Sequence, residues 1–176
     1  MVTAANPYLT RIDPASPAPA ASGVEELAPS ECWRYVTASE VGRLAIATDG
    51  GRPEVFPIDF RVHDGAVYLR SAPGTKLRLM AQHPAVAFEV DGSDARAYWS
   101  VVIQADAHRL DTDADIEASG ILDLDSSSPT AKHNYVRLSP VAITGRRFPR
   151  RDRSNATGDR HDDKPWPIPH FAPIHP

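Results

Sequence analysis

Apolar and polar positions alternate through the middle of this chain. Phe56, Ile58, Phe60 and Val62 fall on every second residue, the period of a strand with one buried face. Leu44 and Ile46 alternate with small residues just before them. Val67 and Leu69 alternate with Tyr68 and Arg70 just after, and Asp64-Gly65 between the two runs favours a tight hairpin with positive φ. Val86, Phe88 and Val90 repeat the pattern up to Asp91-Gly92. A long strand is expected from Trp99 to about Leu110, and 133–147 reads as one last strand or a pair broken at Pro140. Between these runs, Ser30 is placed to cap a helix over roughly 31–39. Thr75 to Gln82 reads as a second short helix and 113–122 as a third. About six strands joined by short turns, with two or three small helices, predict a mainly β protein. Antiparallel order closing into a barrel fits that spacing.

Composition sharpens the boundaries. The chain has 176 residues and 17 prolines, of which five lie in 1–29, six in 149–176 and only six between. The folded unit is therefore expected over 30–148. A Pro/Ala-rich extended or disordered segment is expected before it, and an extended Arg/Pro-rich tail after it. No stretch approaches the roughly 20 apolar residues of a membrane span. The single cysteine, Cys32, allows no intrachain disulfide and suits a reducing compartment. The first residues lack the basic and apolar regions of a secretory signal, so a cytoplasmic location is expected.

Net charge is −4, which disfavours a general nucleic-acid binder. Five arginines lie between Arg146 and Arg153, a cluster that reads as a solvated strand end, a contact to a cofactor phosphate, or a nucleic-acid contact. The acidic residues that follow by position 163 blunt the last reading. Seven histidines raise the question of a metal, but His161, His170 and His175 sit in the tail without a rigid scaffold, and no metal site is expected. Cys32, beside Trp33 on the first helix, reads as a small buried hydrophobe rather than a nucleophile.

The stretch from Val67 to Leu77 carries the most chemistry. A strand ends in Arg70-Ser71, turns through Pro73-Gly74 and opens a helix at Thr75-Lys76. Backbone N–H groups at a helix start attract anions. Thr75 adds a hydroxyl, Lys76 a positive charge and Arg70 a fork for two phosphate oxygens. Those groups suit a phosphate pocket. The plain alternative is an ordinary strand–helix turn with Thr75 as its cap.

Six stretches together resemble one family: Glu31-Cys32-Trp33 with Val41-Gly42-Arg43-Leu44-Ala45; Pro57-Ile58-Asp59-Phe60; Leu69-Arg70-Ser71 with Gly74-Thr75-Lys76-Leu77; Val86-Ala87-Phe88-Glu89-Val90-Asp91; Trp99-Ser100-Val101; and Val136-Arg137-Leu138 with Thr144-Gly145-Arg146-Arg147. In order and spacing they resemble the pyridoxamine 5′-phosphate oxidase-like, FMN-binding split barrels. The nearer likeness is to the actinobacterial branch related to nitroimidazole-resistance-type proteins. The resemblance implies a six-stranded antiparallel split β-barrel that works as a homodimer, with FMN between the subunits. It puts Arg70, Ser71, Thr75 and Lys76 at the cofactor phosphate, counts Leu77 among the cofactor-binding residues, and puts Pro57, Ile58 and Asp59 along the flavin ring. Trp99, Ser100 and Val101 would close the site from the partner subunit.

Asp59 stands where that branch often has Asn, and the Arg–His pair with which true pyridoxamine phosphate oxidases grip substrate has no counterpart near Thr144–Arg147. That particular activity is not expected. The resemblance implies a flavin-dependent oxidoreductase acting on a small molecule. An 8-hydroxy-5-deazaflavin coenzyme in the same pocket, or a protein that only stores or senses flavin, are the alternatives.

Overall fold

The computed structural model describes residues 23–124 and 132–150. The elements in chain order are β1 (Glu25–Glu26), α1 (Pro29–Thr37), β2 (Val41–Ile46), β3 (Glu54–His63), β4 (Ala66–Ser71), α2 (Thr75–Gln82), β5 (Ala85–Ser93), β6 (Ala97–Arg109), α3 (Asp113–Ala118), a 3-10 turn (Ile121–Asp123) and β7 (Asn134–Pro149). All strand pairs are antiparallel. The order β7-β4-β3-β2-β5-β6 closes because β6 also pairs with β7. This is the expected six-stranded barrel, and closure removes the open edges that would otherwise pair with other chains.

Inward residues follow the alternation. Leu44, Ile46, Ile58, Phe60, Phe88 and Val90 all lie in one buried cluster, with Cys32 and Val36 from α1 and Leu79 and Met80 from α2. Phe60 and Phe88 meet edge to face with centroids 4.8 Å apart. Asp64 and Gly65 both have positive φ, 45° and 66°, as the β3–β4 hairpin needs.

Several local expectations are corrected. Ser30 lies inside α1, not at its cap. Ala28 takes the N-cap position, Pro29 supplies the first helical residue, and the Glu31 carboxylate accepts the Ala28 N–H at 3.1 Å. Pro is suited to that position because its missing N–H would be unpaired there in any case. Strand β5 runs through Asp91-Gly92 to Ser93. Gly92 lies opposite Trp99, and a Cβ on Gly92 would fall 2.4 Å from the Trp99 ring, so this glycine makes room for an indole rather than a turn. Strand β7 is continuous through Pro140. The register steps past Val141, whose neighbours Pro140 and Ala142 pair with Ala105 and Gln104. The bulge absorbs the missing proline donor. Strand β4 is buried on both faces. Its outer residues Ala66 and Tyr68 pack with Ile121 in a second small cluster.

The sequence boundary at residue 30 falls just after β1, whose two residues pair with Arg147 and Arg146, and after Leu27, which is buried in the core. The readings of 1–22 and 151–176, with the three tail histidines, lie outside the described residues. No helix among the described residues is long and apolar enough to cross a membrane.

Candidate functional site

The outer face of β3 and β4 gathers charged groups beneath the segment that runs into β7. On β3, Ile58 points into the core, while Pro57 and Asp59 face outward, Pro57 exposed and Asp59 half-buried. Pro57 lies opposite Arg43 of β2, and β4 joins β3 only from Phe60 onward. The proline therefore sits where β3 has a strand partner on one side, a position that tolerates a missing donor. Arg43 is tied to Asp91 at 2.6 Å.

Asp59 meets a residue that no sequence pattern picked out. Lys132 Nζ lies 3.8 Å from Asp59 Oδ2, and both side chains are about 85 % shielded, with relative exposures of 15 % and 16 %. Lys76, the second residue of α2, belongs to the same group of charges. Burial lowers its pKa below the usual lysine value; the Lys132 charge lowers it further, and Asp59 pulls it back up. Desolvation disfavours an ammonium and a neighbouring like charge adds to that, while a carboxylate favours it. The chain has only three lysines against sixteen arginines, and two of the three converge on Asp59. That scarcity is the one sequence signal that could have drawn attention to Lys132.

Arg70 has well-defined partners. Its guanidinium donates from Nε to the Lys132 carbonyl and from Nη1 to the Leu124 carbonyl, both at 3.3 Å. It also lies 5.7 Å from the centre of the Tyr135 ring, within cation–π range. The fork expected at a phosphate thus holds two backbone carbonyls on either side of residues 125–131. Ser71 is buried and donates its hydroxyl to the Ala72 carbonyl at 3.0 Å, while Asn134 donates to the Ser71 carbonyl at 3.2 Å. Ser71 and Asn134 fix the β4–β7 edge.

At the start of α2, Gly74 holds the N-cap position, and Thr75, exposed, is the first helical residue rather than the cap. A Cβ on Gly74 would meet nothing within 4 Å. The first N–H groups of a helix have no partner within it. Beside them stand the exposed Thr75 and the half-buried Lys76. This donor set fits a phosphoryl group. Leu77 is half-buried against the core and lines a cavity of about 380 Å³ with Gly74, Ala107, Arg109 and Val136.

The third expected group is elsewhere on the barrel. Trp99 stacks on Tyr35 of α1 with centroids 4.4 Å apart. Val101 is fully buried in the core, between Val90 of β5 and Gly145 of β7. Ser100 lines a surface cavity of about 430 Å³ with Glu26, Thr144 and Arg146. Trp99 pairs with Arg147 on β7, whereas Arg70 pairs with Tyr135. At 3.3 Å per residue the two points are roughly 40 Å apart along that strand. One chain brings Asp59, Lys76 and Lys132 together and leaves Trp99 and Ser100 far from them.

Of the arginine cluster, Arg147 lies 3.6 Å from Asp94. Arg150 donates to the Ser93 hydroxyl at 2.9 Å and covers the Tyr98 ring. Arg151 and Arg153 lie outside the described residues. Among the described residues, no group of three His, Cys, Asp or Glu side chains is placed to hold a metal.

A family model described as pyridoxamine 5′-phosphate oxidase matches residues 28–147. An uncharacterised protein of Mycobacterium tuberculosis is 38 % identical over 96 residues, which span 53 % of this chain and 87 % of that relative. A crystal structure of a candidate pyridoxamine 5′-phosphate oxidase from Corynebacterium glutamicum superposes with a TM-score of 0.65 at 35 % identity, covering 72 % of this chain and 98 % of the other. The structure of the FAD-binding protein from Mycobacterium smegmatis superposes with a TM-score of 0.61 at 34 % identity, covering 71 % and 98 %.

Proposed function

Because this chain belongs to the pyridoxamine 5′-phosphate oxidase family, we propose that it is a flavin-binding oxidoreductase acting on a small molecule. The carrying observation is the convergence of Lys76 and Lys132 on Asp59 beside the open start of α2. That arrangement supplies cationic and backbone donors to a phosphoryl group, and Pro57 and Asp59 continue along the same outer face as a surface for the ring. A bound flavin supplies the redox chemistry. The protein's part is to hold and orient it and to set the charge around it.

FMN is the proposed cofactor. The FAD-binding Mycobacterium smegmatis relative makes FAD its nearest competitor, and a deazaflavin coenzyme carries the same phosphoryl chemistry. A homodimer is part of the proposal. Trp99 and Ser100 stand far along the barrel from Lys76 in one chain, and a second copy would bring them to the site from the other side.

The test is a set of equilibrium titrations with FMN, FAD and 8-hydroxy-5-deazaflavin coenzyme, followed by anaerobic addition of nicotinamide donors. Tightest binding of FMN, with bleaching of its visible band by a donor and return on adding an acceptor, supports the reading. Tight binding of the deazaflavin alone overturns the FMN assignment. Bound flavin that no donor reduces overturns the oxidoreductase assignment and leaves a storage or sensing protein.

A further inference from the structure

Helix α2 turns one stripe of residues toward the end of the barrel. Gly74, Leu77, Arg78 and Ala81 fall at spacings of three and four, which is one face of a helix. All four line the cavity of about 380 Å³ between α2 and strands β6 and β7. The facing wall is Ala107 and Arg109, two residues apart on β6 and so on one side of it, with Val136 of β7 opposite Arg109 in the register. Met80 and Val136 are almost fully buried and Leu77 is partly buried against the core, so the floor is apolar. The groove exists because small residues stand where α2 and β6 approach. A Cβ on Gly74 would meet nothing within 4 Å, and the Ala81 and Ala107 side chains end at that atom.

Charge gives the groove a preference. Arg78 and Arg109 are its charged lining, with no carboxylate among the described residues that line it. Three other cavities of comparable size each carry one: Glu25, Asp106 or Glu26. Arg78 is exposed and makes no hydrogen bond or ion pair with the described residues. Arg109 lies 3.4 Å from Asp111, but both side chains are largely exposed. Such a pair is weak, so Arg109 is able to meet a second anion. An apolar floor beside two exposed guanidinium groups suits a ligand with an apolar body and one anionic end. Small-molecule pockets have this make-up, apolar walls with a few placed polar groups, from about 300 Å³ upward.

We propose that this groove is a second ligand site, for a small organic anion with an apolar body, a carboxylate or a sulfonate. Leu77, Met80 and Val136 seat the body and Arg78 holds the anionic end. The proposal goes beyond the flavin reading and does not depend on it, because Lys76 and Asp59, assigned above to the cofactor, do not line the groove. It gives Leu77 to this groove rather than to the cofactor.

The experiment titrates the full chain under native conditions with 8-anilinonaphthalene-1-sulfonate, whose fluorescence rises in apolar surroundings. N-phenyl-1-naphthylamine, the same rings without the sulfonate, is the neutral control. The unaltered protein binds the sulfonate more tightly than the control. Arg78→Gln weakens the sulfonate about fivefold, the loss of one charge-assisted contact, and leaves the neutral probe unchanged. Arg78→Lys keeps most of the affinity. Ala81→Leu, which fills the groove from an exposed helix position, weakens both probes at an unchanged urea midpoint. Excess FMN leaves the sulfonate in place. No binding of the sulfonate to the unaltered chain, the result expected if another segment or a second copy fills the groove, overturns the proposal. An Arg78→Gln protein that binds both probes as before, or loses both equally, overturns it too. So does undiminished binding to Ala81→Leu, which would put the probe elsewhere, and so does displacement by FMN, which would make the groove part of the flavin site.

Discussion

Gly42→Ala tests the packing that supports the strand beside the site. A Cβ built on Gly42 falls 2.3 Å from Cζ and 2.4 Å from Cε2 of Phe88, and 3.0 Å from the Glu89 carbonyl oxygen. Carbon atoms in good contact sit about 3.5–4.0 Å apart, so the ring would have to retreat by more than about 1 Å. Phe88 is fully buried and wedged edge-on against Phe60, and the nearby Glu89 carbonyl blocks a simple tilt of β2. Overpacking of this kind costs about 1–3 kcal/mol. Disturbing the aromatic pair adds about 0.5–1.5 kcal/mol, and the stiffer unfolded chain returns about 0.4–1 kcal/mol. The expected net loss is about 2–3 kcal/mol, read as a lower urea midpoint with an unchanged slope at fixed protein concentration. Phe88→Leu in the same chain should recover at least about 1 kcal/mol relative to the sum of the two single changes. A Gly42→Ala protein within about 0.5 kcal/mol of the original, or strict additivity with Phe88→Leu, would refute the account of the barrel core.

Three further outcomes follow from particular contacts. Gly92→Ala should displace the Trp99 indole from Tyr35, costing about 1 kcal/mol of stacking and changing the near-ultraviolet circular dichroism; an unchanged spectrum would show that the indole does not lie over Gly92. FMN affinity should fall on the alkaline side as pH rises through the Lys76 pKa. That pKa lies below the ordinary 10.5 because of burial and Lys132, and the charged form is the one that binds; Lys76→Arg should hold its affinity to higher pH, and identical profiles would exclude Lys76 from the site. The same lowered pKa opposes folding while Lys76 is charged, so this cost is full below the folded-state pKa and is relieved as pH rises from there toward 10.5. Cys32 is fully buried, and burial raises its thiol pKa, so a thiol reagent should react only once denaturant opens the barrel; prompt reaction in the native protein would contradict its place in the core.

Most of the barrel was legible because one-sided burial writes itself into a period of two. Ile58, Phe60, Phe88 and Val90 declared their strands for that reason. Strand β4 also shows alternation, yet its second face is covered by Ile121, a contact between distant segments that periodicity does not encode. Pro140 left β7 ambiguous because a bulge and a break look alike in sequence. The helix start at Thr75-Lys76 was legible as a local turn. Lys132 was not, since it sits in a polar stretch without periodicity and reaches Asp59 only through folding. Arg70 reads in sequence as a fork for a phosphate, and its partners in the fold are carbonyls more than fifty residues away, which no local motif announces.

The central claim is that this barrel holds a flavin through the lysine pair beside Asp59. The most direct measurement mixes the purified chain with FMN, removes unbound ligand on a sizing column and records the visible spectrum of the protein fraction, alongside Lys76→Gln. The account predicts a flavin band that travels with the protein in proportion to its amount and is largely lost from the variant. A colourless protein fraction, or a band of equal strength in both proteins, would contradict it.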